Sequence, residues 1–363
     1  MTDRRIESLD HLRGLMALSV MTYHYVSWTN GALPSSSLLG RLGIYAVSIF
    51  YVLSGLSLSL VYNHRINRGT DVGRFIVKRI FRIFPLFYLV VTVSLLLQWL
   101  SSIRHGVVFA VPWRVAALNY TLLFGFVDPT AYLSTGAWSI GNEMVFYSIF
   151  PLLLLLSGRS RLVLPIALLL SVAAEVYFAY GALSPGAPLE AQWSLYINPF
   201  NQLLLFMSGV VVGAFLHPSA SPPRRVMAAV LALAAALVFY LLPSQPDPVS
   251  IVTGSSRFIL CAACVIFVAC VFVANPSAGG GPGRLLAFLG EGCYSIYLLH
   301  PLVAVPIILI CQKFHIGVGY AYSVAYLATL PGSWVTFRYL ESPMISLGKR
   351  FSARGFRLAP LAS

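Results

Sequence analysis

The chain has 363 residues, of which 58% are hydrophobic and 10% charged, with a mean hydropathy of +0.81. A soluble domain is about 25% charged, so this composition excludes an ordinary soluble protein and defines a polytopic membrane protein of the all-α class. The net charge of +13 sits at the ends of apolar runs and not in a compact basic domain with interleaved aromatics, which sets nucleic acid aside as a partner.

Arg4 and Arg5 precede the first apolar run, as in a signal peptide, but no small-residue cleavage site follows, so the first span is read as retained. Runs of helical length follow at 12–28, 41–62, 84–103, 138–157, 162–180, 199–216, 226–242, 257–274, 290–312 and 318–338. The expected fold is therefore a bundle of about ten transmembrane helices. The ninth run holds Gly290 and Gly292 and is expected to begin as a broken or tilted segment. Segment 112–127, with Trp113 and Tyr120, is expected to lie at the interface. Ten spans divide the 24 basic residues into nineteen on one side and five (Arg41, Arg104, Arg114, Arg257 and Lys313) on the other, which by the positive-inside rule puts both termini in the cytoplasm. The chain is expected to divide into a transmembrane domain, 1–345, and a basic cytoplasmic tail, 346–363. Cys261 and Cys264 have metal-like spacing but no second pair, and all five cysteines lie in or beside apolar spans. They are read as packing residues, with no metal site and no disulfide framework. The glycine-rich loop 275–284 lacks the Lys-Ser/Thr ending of a phosphate loop and is read as a connector.

Four segments carry candidate chemistry. In the first, 9–24, Arg13 and His24 are eleven residues apart, about three helical turns and about 16 Å on nearly one face. Arg13 falls near the cytoplasmic surface, where it can snorkel, and His24 beyond the membrane middle. In the second, RFIVKRIFRIFP at 74–85, Arg79 and Arg82 share one face of a short cytoplasmic helix that Pro85 is expected to bend into the next span. Such a cluster suits phosphates, but from composition alone an ordinary cytoplasmic anchor on anionic lipid is the stronger reading. The third, 136–151, enters at Trp138 and carries Glu143 and Tyr147 four apart. Glu143 is expected at the depth of His24, and a contact between them would orient the imidazole and raise its basicity. In the fourth, 289–301, His300 is expected level with Glu143, with Tyr294 and Tyr297 on neighbouring turns. His300 is read either as an acceptor-binding or proton-transfer group or as a hydrogen-bonded packing residue.

Together these segments resemble the acyltransferase-3 family of integral-membrane acyltransferases, nearly end to end. The resemblance rests on Arg13 and His24 with ten residues between them, IFYVLSG at 49–55, and Arg79–Arg82 before IFPLFY. It extends to the Trp-Ser…Glu…Phe-Tyr motif at 138–147, Tyr-Ser-x-Tyr-Leu-x-His at 294–300, and a closing Glu-x-Pro at Glu341 and Pro343. The chain departs from that pattern at His11, at Lys78 and in WSI for WSL. The resemblance implies a membrane O-acyltransferase that takes an acyl group, most often acetyl, from cytoplasmic acyl-CoA to a sugar hydroxyl of an exopolysaccharide, O-antigen or other glycan or glycolipid. It implies Arg13, Arg79 and Arg82 at the CoA phosphates, and His24 and Glu143 as catalytic groups. Trp138, Tyr147, Tyr297 and His300 would support or bind substrate, in a bacterial cytoplasmic (inner) membrane. The competing readings are a proton-coupled transporter or flippase of glycan precursors using His24 and Glu143 as a relay, and a non-catalytic scaffold for polysaccharide export.

Overall fold

The computed structural model describes residues 6–63 and 65–354, so Arg4, Arg5, Arg357 and positions 355–363 of the expected tail lie outside the described residues. The described chain is all-helical. In order the helices are α1 (Glu7–Asn30), α2 (Leu38–Tyr62), α3 (Gly69–His105), α4 (Trp113–Thr121), α5 (Phe124–Val127), α6 (Trp138–Ser157), α7 (Val163–Tyr177), α8 (Trp193–Tyr196), α9 (Pro199–Phe215), α10 (Pro222–Leu241), α11 (Val249–Val252), α12 (Gly254–Ala274), α13 (Gly280–Glu291), α14 (Cys293–Lys313), α15 (Val318–Thr336) and α16 (Ser342–Arg354).

Seven helices are long and apolar enough to cross a membrane: α2, α3, α6, α7 with its π-helical extension to Ala182, α10, α12 and α14. An eighth arises if Leu189–Tyr196 and α9, bent by 61°, count as one span. The other two runs among the ten expected form α1 and α15, with 24 and 19 residues, and neither meets that standard of apolarity. Their polar side chains bond to one another. Thr22 Oγ1 lies 2.6 Å from the Tyr326 hydroxyl, Tyr25 bonds Thr329 at 2.8 Å, and Thr29 bonds Tyr322. Interhelical hydroxyl bonds of this kind tie membrane helices together while lowering their hydropathy.

Small residues set the closest helix crossings. A Cβ on Gly14 of α1 would lie 2.7 Å from the backbone nitrogen of Gly290 on α13, and one on Gly290 would lie 2.4 Å from the Asp10 carbonyl oxygen. This close approach brings the start of α1 against the end of α13. The break after Glu291 then turns the chain into α14, as the paired glycines of the ninth run lead one to expect.

Segment 74–85 is not a separate short helix. α3 continues through Pro85 for 37 residues, about 55 Å, well beyond the roughly 30 Å of a hydrocarbon core. Its start is fixed by Asp71, whose carboxylate accepts from the backbone N–H groups of Asn67 and Arg68 at 3.2 and 3.1 Å. α16 packs along α3, with Phe81 and Phe351 stacked at 5.5 Å.

Two arginines assigned from sequence to loops of the lysine- and arginine-poor side are buried inside the bundle. Arg41 donates to the Ser35 carbonyl at 2.8 Å, to the carbonyls of Phe239 and Leu242 at the end of α10, and to Ser244 Oγ at 3.0 Å. Arg257 forms a two-pronged ion pair with Glu175 of α7 (2.5 and 3.1 Å) and donates to the Asn201 carbonyl at 2.5 Å. That knot joins α7, α9 and α12. Hydropathy patterning could not reveal it, because the partners are 82 residues apart.

Candidate functional site

A cavity of about 460 Å3 opens among α1, α2, α3, α6, α14 and α16. Its lining includes Arg13, Arg79, Arg82, Glu143, Tyr147 and Tyr297. Six of the nine residues singled out from sequence are thus gathered around one space.

Each guanidinium is held differently. Arg13 donates to Asp10 one turn earlier at 2.8 Å, to the Leu53 carbonyl at 3.2 Å, and to Ser57 Oγ. Arg79 lies over three rings, with its central carbon 6.0, 5.7 and 5.7 Å from the centroids of Tyr62, Phe75 and Tyr147. Aromatic faces attract the cation and fix the plane of the fork. Its Nε–H is buried and has no hydrogen-bond partner. A buried unsatisfied donor costs about 1–3 kcal/mol, more when charged, and so marks a place where an acceptor is expected. The charges of Glu341 and Glu143 both act on Arg82. Glu341, from the closing Glu-x-Pro motif, accepts a hydrogen bond from Ser295.

Glu143 lies with the arginines. The charges acting on it are those of Arg82, Arg79 and Arg13, and Tyr147 lies one turn further along α6. It is not the partner of His24, as depth counting led one to expect. α6 begins inside the protein, where Ala137, Trp138, Ser139, Ile140 and Asn142 are all buried, so counting from a surface start misplaces Glu143. Trp138 packs edge-on against Trp193 at 5.8 Å and Tyr51 at 6.5 Å, and Tyr147 lies 3.3 Å from Ser54.

The partner of His24 is His300. Their Nδ1 and Nε2 atoms are 2.7 Å apart, and Trp28 stacks on His24 at 5.1 Å. The other nitrogen of His300, Nδ1, lies 3.1 Å from the Ile296 carbonyl oxygen. A carbonyl only accepts, so His300 Nδ1 carries a proton and, in the neutral ring, Nε2 is the acceptor. His24 must then donate from Nδ1, which leaves the lone pair on His24 Nε2. The carbonyl thereby selects the tautomers of both rings, and His24 is left as a base with a free nitrogen. His300 is fully buried, whereas His24 is half-buried.

Tyr297 stands between the two groups. It lines the cavity, its ring is 6.2 Å from that of His300, and its hydroxyl donates to the Gly136 carbonyl at 2.9 Å. Gly136 has φ +78, and a Cβ there would press on the Tyr297 hydroxyl at 3.2 Å. Asp10, Ser57 and Tyr62 also belong to the site. Asp10 was legible as the i−3 partner of Arg13, but Ser57 and Tyr62 had no sequence signal beyond their place on α2. Among the described residues, no group of three or more His, Cys, Asp or Glu side chains is placed to hold a metal ion.

The fold and site define a multi-pass helical membrane protein with a basic, aromatic-walled cavity beside a histidine pair. The chain belongs to the acyltransferase-3 family, whose acyltransferase domain matches residues 6–338. It is 27% identical over 80% of its length to ORF330 of Acidianus two-tailed virus, covering 81% of that protein, whose name carries the word acetyltransferase. It is 28% identical to Bacillus subtilis YrhL, whose name carries the words peptidoglycan O-acetyltransferase; the match covers 97% of this chain and 57% of that longer relative. It is 25% identical to the exopolysaccharide production protein ExoZ of Rhizobium meliloti, over 85% of this chain and 91% of ExoZ. No solved structure matches.

Proposed function

We propose that this membrane acyltransferase moves an acyl group, acetyl foremost, from cytoplasmic acyl-CoA to a hydroxyl of a carbohydrate in the bacterial envelope. The observation that carries the reading is the buried, unpartnered Nε–H of Arg79 in a cavity that adjoins the His24–His300 pair through Tyr297. The names of YrhL and ExoZ support a glycan acceptor, peptidoglycan in one case and exopolysaccharide in the other. A proton relay through His24 and Glu143 gives no role to the unpartnered Nε–H of Arg79.

In this mechanism Arg13, Arg79 and Arg82 hold the phosphate-bearing donor, and Glu143 keeps the last two oriented. The slender thioester arm extends along α1, whose eleven-residue interval from Arg13 to His24 spans about 16 Å. The acceptor oxygen attacks the thioester carbonyl carbon as its proton passes to His24 Nε2. The C–S bond breaks, and the departing thiolate takes up that proton as free coenzyme thiol. His300 Nε2 accepts from His24 Nδ1 throughout and stabilises the imidazolium. His24 is thus the catalytic base and His300 its positioning residue. Tyr297, Tyr147 and Trp138 shape the passage.

The same reading has α1 and α15 crossing the membrane with the other eight, both termini in the bacterial cytoplasm, and segment 346–363 on that side. Arg41 and Arg257 are committed to internal bonds, so the opposite surface keeps only Arg104, Arg114 and Lys313, which sharpens the positive-inside asymmetry.

The test is thiol release from acetyl-CoA by purified protein across a panel of glycan acceptors. His24→Ala is expected to abolish acceptor-dependent release while CoA binding persists. Wild-type protein that neither binds CoA nor releases thiol with any acceptor would refute the reading.

A further inference from the structure

A second chamber, of about 390 Å3, adjoins the first and shares with it Tyr62, Arg79, Arg82 and Lys349. It is far more cationic. Arg65, Arg74, Lys78, Arg79, Arg82 and Lys349 line it, against the single carboxylate of Asp71. That carboxylate is already spent on Arg74, at 3.0 Å, and on capping α3. The two chambers therefore differ in character: the first sets Asp10, Glu143 and Glu291 against Arg13, Arg79, Arg82 and Lys349, whereas the second is strongly positive.

Lys349 comes from the last helix, and its placement is built in. A Cβ on the neighbouring Gly348 would lie 2.5 Å from Phe81 Cβ, and Phe351 stacks on the same Phe81 ring. These contacts seat α16 against α3 at the level of the basic segment. Lys78 on α3 is steadied over the Tyr62 ring at 5.9 Å. Two lysines from helices at opposite ends of the sequence thus border one cationic space. Compact ammonium groups bind a phosphate as point charges, and two of them bordering one space suit the dianion of a phosphomonoester.

We propose that this outer chamber is a phosphomonoester subsite, and that Lys349 and Lys78 hold the ribose 3′-phosphate at the nucleotide end of the donor. The proposal rests on the acyl-CoA reading above and adds the C-terminal helix α16 to the donor site. It makes the protein selective for coenzyme A over the form lacking that phosphate. An anionic lipid headgroup presents the same phosphate chemistry, and the experiment separates the two.

The experiment uses the full chain in phosphatidylcholine nanodiscs. Calorimetry measures adenosine 3′,5′-bisphosphate against AMP, and kinetics compares acetyl-CoA with its 3′-dephospho form. Wild type is expected to prefer the 3′-phosphorylated ligand by about tenfold or more in each assay, as a charge-assisted contact implies. Lys349→Gln and Lys78→Gln are each expected to remove most of that preference by raising KM for acetyl-CoA, and Lys349→Arg to retain it. Arg350→Gln, exposed and lining neither chamber, is the control. Equal affinity for the two nucleotides, or a lysine variant that weakens both alike, overturns the proposal. So does bisphosphate binding that vanishes in phosphatidylglycerol nanodiscs, which would make the chamber a headgroup site. A preference for the bisphosphate without thiol release would uphold the subsite and sink the acyltransfer mechanism. Thiol release without the preference would do the reverse.

Discussion

His24 and His300 meet nitrogen to nitrogen at 2.7 Å, and the Ile296 carbonyl behind His300 dictates which nitrogen of each ring carries hydrogen. The relay resembles in logic a carboxylate–imidazole pair, but a neutral ring and a helix carbonyl stand where the carboxylate would be. It suits a buried location, because no net charge is desolvated in the resting state.

The pair makes a graded expectation. His300→Ala removes the acceptor for His24 Nδ1–H and is expected to lower kcat by about 10- to 100-fold, the usual cost of losing an orienting partner. His300→Gln offers an amide oxygen to the same proton and is expected to retain more activity than His300→Ala. Steady-state thiol release checks the order, and CoA affinity is expected to be unchanged in both.

Arg79→Lys keeps the charge but gives up the guanidinium fork that lies over the rings of Tyr62, Phe75 and Tyr147. Donor affinity is expected to fall about tenfold, consistent with loss of a bidentate contact. Calorimetric titration with CoA measures it, and an affinity equal to wild type would show that the guanidinium fork adds nothing to donor binding.

The Glu175–Arg257 pair is a folding element. Glu175→Ala leaves a guanidinium buried without its counter-charge and is expected to cost about 3–5 kcal/mol. Removing both charges with Glu175→Leu and Arg257→Met is expected to recover much of that loss. Thermal unfolding in detergent, followed by tryptophan fluorescence, ranks the single and double variants.

Gly14→Val would drive a side chain into the backbone of α13 at Leu289 and Gly290. Overpacking costs about 1–3 kcal/mol, so a lower unfolding temperature is expected. Displacing α1 also moves Arg13 relative to Arg79 and Arg82, so weaker CoA binding is expected alongside it.

Much of the site could be read from the sequence because intramembrane charges are rare enough to stand out. Arg13, Arg79, Arg82, Glu143 and Tyr147 do converge on one cavity. Their grouping was harder to read, since depth along a span was counted from its apolar edge. That count fails for α6, whose first turn is sunk within the protein. The same one-dimensional view sees Arg41 and Arg257 as loop cations, because the carbonyls and the carboxylate that receive them lie far away in sequence. Hydropathy also scores α1 and α15 low, because they carry polar atoms that are matched across their interface.

α1 carries Arg13 and His24 on a single rigid rod. The interval between them is then a gauge graduated in residues, each step worth about 1.5 Å of travel and about 100° of rotation. One inserted residue between the two would do more than lengthen the gauge: it would turn the imidazole away from His300. Reach and aim are locked together, so on the proposed donor path the arm must match the helix in both length and angle.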